Sequence, residues 1–528
     1  MSYLPGISLA QMRRNLAFHG PELYVGSDRR GLAWAGPQQA LLVLGPPRSG
    51  KTSAIVVPNV LATPGPVVVT STKPDVLQAT LASRSEIGRC WVLDPTGALG
   101  TPSGALQLRW SPVPSAGCWE EALVTARVMT LAAKPHSSYG ESAHWSERAQ
   151  ALLAPLLHAA ALGGGDVRQV LSWVLRHELA EPAALLARAA QAGVATAVAM
   201  DVLAGIDATE ERERSGIFST AAGTLAAYRS ERALELAAQP NFDPAAFPTS
   251  ADTVYVCAPA RYQALMAPIV VAFLEQVRAA TYKAAAGAWL RVPVTFVLDE
   301  VANIAPLPDL PAMVSEAGGQ GLLVLACLQD LSQARMRWGR AAEGFFSLFG
   351  AKVLLPGVGD LQTLEVVSRL GGQMDVVVRS LSSTAWWSRH PSSNTTYSSR
   401  RQARLPVDQA HSLPVGTALL VAGARPPALV RLTRWWEHPP FCEAARARPV
   451  PVPQPVPASW PQPVPVGPPP PMGRQPAPGA GDRTGAEGPS GRPAEGPSGR
   501  SAKGAGGIVW RRVPGQRRIH PPPPRVGP

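Results

Sequence analysis

Apolar residues come along this chain in short runs, each closed by turn formers or charges, and longer stretches with a helical period lie between several of them. Residues 40–44 (ALLVL), 66–70 (PVVVT), 90–94 (CWVLD), 253–257 (TVYVC), 294–298 (VTFVL), 322–326 (LLVLA), 351–355 (AKVLL) and 417–421 (TALLV) have the length and β-branched content of buried strands. Helical patterns over 76–83, 263–286 and 361–370 separate some of these runs. Strand, helix, strand at this spacing predicts βαβ units and a parallel sheet. Residues 23–25 and 32–34 add two candidate edge strands inside an otherwise polar lead-in.

From about residue 114 to 246 the pattern changes to Ala- and Leu-rich with few strand candidates, which predicts a helical insertion. Its clearest helix carries Trp145, Ala149, Leu152, Leu153, Leu156, Leu157 and Ala160 on one face. Pro155 within it predicts a kink or a break, because proline removes a helical hydrogen bond. Two further helical stretches, 167–176 and 182–204, follow, and 210–214 reads as a solvated helix face. Residues 373–404, rich in Ser, Thr and Arg, read as a surface excursion. Past residue 440 the chain turns Pro/Gly-rich and repeats AEGPSGR at 486–492 and 494–500, a composition that cannot bury enough surface to order itself. The expected class is α/β: an open, largely parallel sheet, an inserted all-α domain and a disordered C-terminal tail. Within the tail, 508–512 and 516–518 mix apolar and basic residues, readable as a docking element or as a merely solvating one.

Composition narrows the function less than it first suggests. Of the chain's formal +12, residues 441–528 hold twelve Arg/Lys against four Asp/Glu, a net +8, so the body is only mildly basic. Any nucleic-acid contact there needs its own argument. Five scattered cysteines without a C-x-x-C spacing suggest neither a disulfide framework nor a zinc site, and a reducing compartment fits. The nine histidines form no H-E-x-x-H set. No run approaches the apolar length of a membrane span, and residues 1–20 lack a signal peptide's apolar block, so the chain reads as soluble.

The chemistry centres on Gly45, Pro46, Pro47, Arg48, Ser49, Gly50, Lys51 and Thr52, which fit G-x-x-x-x-G-K-[ST] and run on into Ser53. Glycines let backbone N–H groups close around phosphates, the lysine reaches the terminal phosphates and the hydroxyl meets Mg²⁺. A strand enters the loop and a helix leaves it, the context such a cradle requires. Hydrolysis also needs an acid for the metal and a base for the water. The run 294–298 ends in Asp299-Glu300, which assigns Asp299 with Thr52 to the Mg²⁺ shell and Glu300 to the attacking water. The plainer reading is an acidic pair at a helix start. Gln329, just past the next strand, either senses the γ-phosphate or caps a loop.

Residues 298–339, LDEVANIAPLPDLPAMVSEAGGQGLLVLACLQDLSQARMRWG as a contiguous stretch, resemble the Walker B and sensor region of type IV secretion coupling proteins of the TraG/TraD class. GPPRSGKTSAIVVPNVL (45–61), HWSERAQALL (144–153), ERSGIFSTAAGTL (213–225) and LPGVGDLQTLEVVSRLGG (355–372) are similar to further blocks of that family. The resemblance implies a hexameric RecA-like ATPase using ATP and Mg²⁺. Such a motor delivers relaxase-bound, single-stranded DNA to membrane components of a conjugation channel. It implies a nucleotide-binding domain split into 36–113 and 247–440, with 1–35 as a lead-in, 114–246 as the family's all-α domain and 441–528 as a tail. The family's N-terminal membrane helices have no counterpart here, so a cytoplasmic chain recruited peripherally by a partner is expected. Gly318 stands where related proteins place an arginine acting on a neighbouring subunit's γ-phosphate, which leaves Arg335, Arg337 or Arg340 to substitute. A translocase of the FtsK/HerA kind, a coupling ATPase for protein effectors and a slowly turning nucleotide-binding scaffold are the rival readings.

Overall fold

The computed structural model describes residues 7–133, 141–383 and 393–446. In chain order the strands are β1 (Tyr24–Asp28), β2 (Gly31–Trp34), β3 (Leu41–Leu44), β4 (Val67–Ser71), β5 (Cys90–Leu93), β6 (Leu106–Gln107) and β7 (Thr253–Cys257). They continue with β8 (Val294–Leu298), β9 (Leu322–Leu328), β10 (Ala351–Leu354), β11 (Gln373–Ser383), β12 (Ser393–Ala403), β13 (Thr417–Ala422) and β14 (Ala428–Arg431). Twelve of these form one sheet in the order β2-β1-β14-β13-β10-β3-β9-β8-β4-β7-β5-β6. From β10 to β6 every neighbouring pair is parallel, while β13, β14, β1 and β2 close one side antiparallel.

The central strands are apolar on both faces because each face is covered. Leu42 and Leu44 point into one core and Leu41 and Val43 into the other; β9 alternates likewise, with Val324 and Ala326 on the first face and Leu325 and Cys327 on the second. The first core runs without a break into the helical segment between β6 and β7. There the helix Glu141–Leu162 passes through Pro155 as one helix, with Leu152, Leu153, Ala154, Leu156 and Leu157 all buried. The predicted break does not occur: packing around the proline outweighs the lost hydrogen bond.

The helix Gln263–Ala286 lies between the helical segment and the sheet, beside Trp119–Ala133. With the short turn before it, this helix is long and apolar enough to cross a membrane by length and composition, and 72% of its most apolar window is buried. The sequence pattern shows it as a helix but not as a long apolar span, because Glu275, Arg278 and Lys283 interrupt its apolar stretches. A helix enclosed on most sides needs little polar face.

The second core holds the helices Leu9–His19, Thr52–Ala62 and Asp75–Ser85. The first of these is absent from the sequence reading of the lead-in. It is held by Met12 and Leu16, both buried, and by the Arg13 guanidinium, which donates to Leu61 O at 2.7 Å and to Ser83 Oγ at 3.0 Å. Arg84 is fully buried and donates to Thr253 Oγ1, Gly65 O, Ala251 O and Thr63 O, joining the amino-terminal ends of β4 and β7.

β11 and β12 pair only with each other, as a long ribbon on the surface excursion expected at 373–404. The expected tail falls mostly outside the described residues, but its first six residues do not: Phe441–Arg446 forms a turn in the second core. Phe441 is fully buried edge-on to Tyr24, and Glu443 Oε2 accepts from Leu9 N at 2.9 Å. Phe441→Ala is therefore expected to lower unfolding free energy by about 3 kcal/mol or more in a urea titration; an unchanged midpoint would show that this turn does not hold the body.

Candidate functional site

Because β3, β8, β9 and β4 are parallel neighbours, the loops that follow them leave the same edge of the sheet. β9 lies between β3 and β8, so the phosphate-type loop and the acidic pair sit two strand spacings apart, roughly 10 Å.

The loop after β3 turns tightly. Gly45 N donates to Leu328 O at 3.1 Å, and a Cβ at Gly45 would lie 2.7 Å from Ser49 Oγ and 2.9 Å from Leu355 Cβ. Gly50 has φ +99°, which glycine adopts without strain, and Arg48 takes the left-handed conformation at φ +64°. The helix opens with a π turn, Thr52–Val56, before the α-helical Val57–Ala62. Lys51, 6% exposed, folds back so that Nζ donates to Gly45 O and, at 3.1 Å, to Pro46 O.

Thr52 Oγ1 donates to Asp299 Oδ2 at 2.9 Å. Thr70 Oγ1, at the end of β4, donates to the backbone O of Asp299 at 2.8 Å, so two strands position that residue. Asp299 is 6% exposed. Burial raises its carboxyl pKa to about 6, with Glu300 and Asp75 adding repulsion and Thr52 and Lys51 opposing the rise. Glu300 is held at φ +54°, ψ +46°, a left-handed conformation costly for a non-glycine residue. Its carbonyl starts the helix Val301–Ile304, and Asn303 Nδ2 reaches its carboxylate at 3.4 Å.

These residues line a cleft of about 550 Å³, with Pro47, Arg48, Ser49, Gly50, Lys51, Thr52 and Ser53 facing Asp299 and Glu300. Gly45 and Pro46 form the base of the loop instead of its lining. Gln329 follows β9 directly, beside the carbonyl that holds Gly45. Its N–H bonds to Gln333 Oε1 at 3.0 Å, and it is not among the lining residues.

The cleft also contains residues outside the sequence reading. Lys73 and Asp75 follow β4 as the acidic pair follows β8, so charges just past an apolar run were a usable signal. Trp435 and Trp436 come from beyond β14, a strand the sequence pattern did not reveal, and nothing local announces them. Together the wall carries Arg48, Lys51 and Lys73 against Asp75, Asp299 and Glu300.

This donor set fits a magnesium nucleotide. Phosphates match the basic groups and the N–H cradle, a divalent cation matches Thr52 and Asp299, and Ser49 Oγ is a buried hydroxyl without a protein partner among the described residues. Gly318 is closed to any side chain, because a Cβ there would lie 2.1 Å from Gln38 O. Of the arginines offered instead, Arg335 pairs with Asp360 at 3.0 Å. Arg337 donates to Ala132 O at 3.0 Å and is lowered by burial to about 10. Arg340 is exposed.

The raised Asp299 pKa has a thermodynamic consequence. Between about pH 4 and pH 6 the folded protein keeps a proton that the unfolded chain releases, so stability falls as pH rises through that window and stays reduced above it. Without nucleotide, Asp299→Asn is expected to be more stable than the parent by up to about 3 kcal/mol at pH 7.5, with the gain vanishing near pH 4. Equal melting behaviour at both pH values would contradict a desolvated carboxyl at this position.

The same architecture is found in solved structures. The bacterial conjugative coupling protein TrwBdeltaN70, in an unbound monoclinic form, superposes with a TM-score of 0.57 at 18% identity, over 81% of this chain and 92% of that one. TrwB in complex with ADP and Mg²⁺ gives 0.55 at 18% identity over 75% and 86%, and TrwB with the non-hydrolysable GTP analogue GDPNP gives 0.56 at 18% over 81% and 92%. At this identity the likeness establishes the fold, an α/β architecture on a largely parallel sheet. No curated protein matches the chain in sequence. The family model described as "Type IV secretory system Conjugative DNA transfer" matches residues 10–458, and the chain belongs to that family.

Proposed function

We propose that this chain is an ATP-driven coupling motor that delivers DNA, or a nucleoprotein, to a type IV secretion channel. The observation that carries the catalytic part is the contact of Thr52 with a desolvated Asp299 across the strand between them, with Glu300 on the wall of the same cleft. When bound, Mg²⁺-ATP supplies the reactive phosphoryl group and the metal's charge. The backbone of 45–51 orients the phosphates, and Lys51 turns from its loop carbonyls to meet their charge. Thr52 and Asp299 hold the metal, Glu300 takes the proton of the attacking water, and Gln329, at the base of the loop, reports on the γ-phosphate through the loop it adjoins. TrwB, solved with ADP and Mg²⁺ and with a GTP analogue, supports a nucleoside triphosphate as the ligand class.

On this reading the working form is a RecA-like homohexamer, in which a neighbour completes the site. Arg340, exposed and carrying no ion pair among the described residues, is the arginine we assign to that role. The substrate is single-stranded, relaxase-bound DNA, and the protein works at the cytoplasmic face of the membrane, held there by channel components. The closed position at Gly318 favours a second reading, a slowly turning nucleotide-binding scaffold.

Turnover measured against protein concentration, with and without single- and double-stranded DNA, separates these readings. A motor should show activity per chain that rises with concentration and with DNA. Persistent binding without hydrolysis under all conditions would leave the scaffold. Lys51→Ala is expected to abolish binding or turnover. Glu300→Gln should retain ATP with hydrolysis reduced about 100-fold or more, and normal hydrolysis in that variant would remove Glu300 as the base. Arg340→Ala should slow turnover while ATP affinity holds; unchanged turnover would return the trans role to another residue.

A further inference from the structure

The phosphate chemistry accounts for one side of the cleft and leaves Trp435 and Trp436 without a task. β13 runs antiparallel to β10 and to β14, and β10 runs parallel to β3, so β14 has the same direction as β3. The chain leaving β14 therefore emerges on the edge where the loop 45–51 lies. β14 is three strand positions from β3, on the side away from Asp299, a separation of roughly 14 Å. Trp435 and Trp436, four and five residues past β14, share the cleft wall with Val57 and with Ser71, Thr72, Lys73 and Asp75 past β4.

The two rings are built differently. Trp435 packs against the second core as a support. Trp436 stays 43% exposed, meets Trp435 edge-on at 5.7 Å and 87°, and has the Arg434 guanidinium 5.5 Å from its ring centre. An edge contact and a cation hold the indole in a defined orientation while leaving aromatic surface open. Val57, on the helix that follows the phosphate loop, adds an apolar contact to the same wall, and among the described residues no other aromatic side chain lines it.

We propose that Trp436, backed by Trp435 and oriented by Arg434, is the stacking surface for the nucleobase of the bound nucleotide. This rests on the nucleotide reading of the loop and extends it to a base subsite formed by a turn nearly 400 residues downstream. Stacking uses the π face that every base has, so the subsite adds affinity for nucleosides without selecting strongly among them.

The test compares Mg²⁺-ATP with Mg²⁺-tripolyphosphate, which lacks ribose and base, by calorimetric titration of the full chain. Trp436→Ala should weaken ATP binding about tenfold and leave tripolyphosphate binding unchanged, and Trp436→Phe should restore most of the ATP affinity. Trp436→Leu, which keeps apolar bulk, should lose ATP affinity as the alanine variant does; this keeps the test valid if alanine lowers the melting temperature. Unchanged ATP affinity in the alanine and leucine variants, or an equal loss for both ligands, overturns the proposal. Failure of the parent chain to bind either ligand would instead overturn the nucleotide reading itself, before any variant is made.

Discussion

The hydrogen bond from Thr52 to Asp299 joins the two halves of the site, and most of the surrounding architecture holds its ends in place. Asp299 can be there because β8 is buried on both faces and delivers the residue that follows it to the carboxyl edge, where Thr70 fixes its backbone. Thr52 can meet it because the loop after β3 folds back before the helix begins. A carboxylate so desolvated is unfavourable alone, and Lys51 offsets only part of the penalty while it is bonded to its own loop. A divalent cation resolves that conflict on the acidic side, as phosphates do on the basic side. The balance of Arg48, Lys51 and Lys73 against Asp75, Asp299 and Glu300 suits a ligand carrying both charges.

Backbone strain gathers around the same contact. Glu300 is left-handed without being glycine, and Arg48 is left-handed within the loop. Each costs free energy that neighbouring structure must outweigh, and each places a side chain on the cleft wall. Gly318 is a different case. Its turn packs on the backbone at Gln38, just before the phosphate-loop strand, so a glycine is needed for close approach. Close packing in this turn leaves no room for an arginine at this position.

The helical segment is continuous with the sheet's core, and the helix Gln263–Ala286 is the element they share. On that helix Arg278 pairs with Glu275 at 2.6 Å, one turn away, and with Glu316 of the segment before β9 at 3.4 Å. On the opposite face, the helix Leu9–His19 and the turn Phe441–Arg446 meet through Leu9 and Glu443, bringing segments from the two ends of the described chain against the same core.

Residue patterns alone determined the strands β3, β4, β5, β7, β8, β9 and β10, because buried parallel strands need continuous apolar runs that few other elements imitate; the antiparallel, half-buried β13 was legible from its apolar run as well. They also singled out the loop 45–52 and the pair Asp299-Glu300, most of which the fold brings to one cleft. Family membership was legible in residues 298–339. Weak elements escaped: β6 and β14 are two and four residues long, and the helix Leu9–His19 carries charge at Arg13 that only burial against carbonyls explains. Tertiary structure alone decided that β9 lies between β3 and β8. It likewise decided that Gly318 is closed, that one helix continues past its proline, and that two tryptophans nearly 400 residues from the loop 45–52 line the same cleft. Local sequence encodes what each segment prefers, whereas the partners it meets depend on strand order, which sums weak preferences over the whole chain.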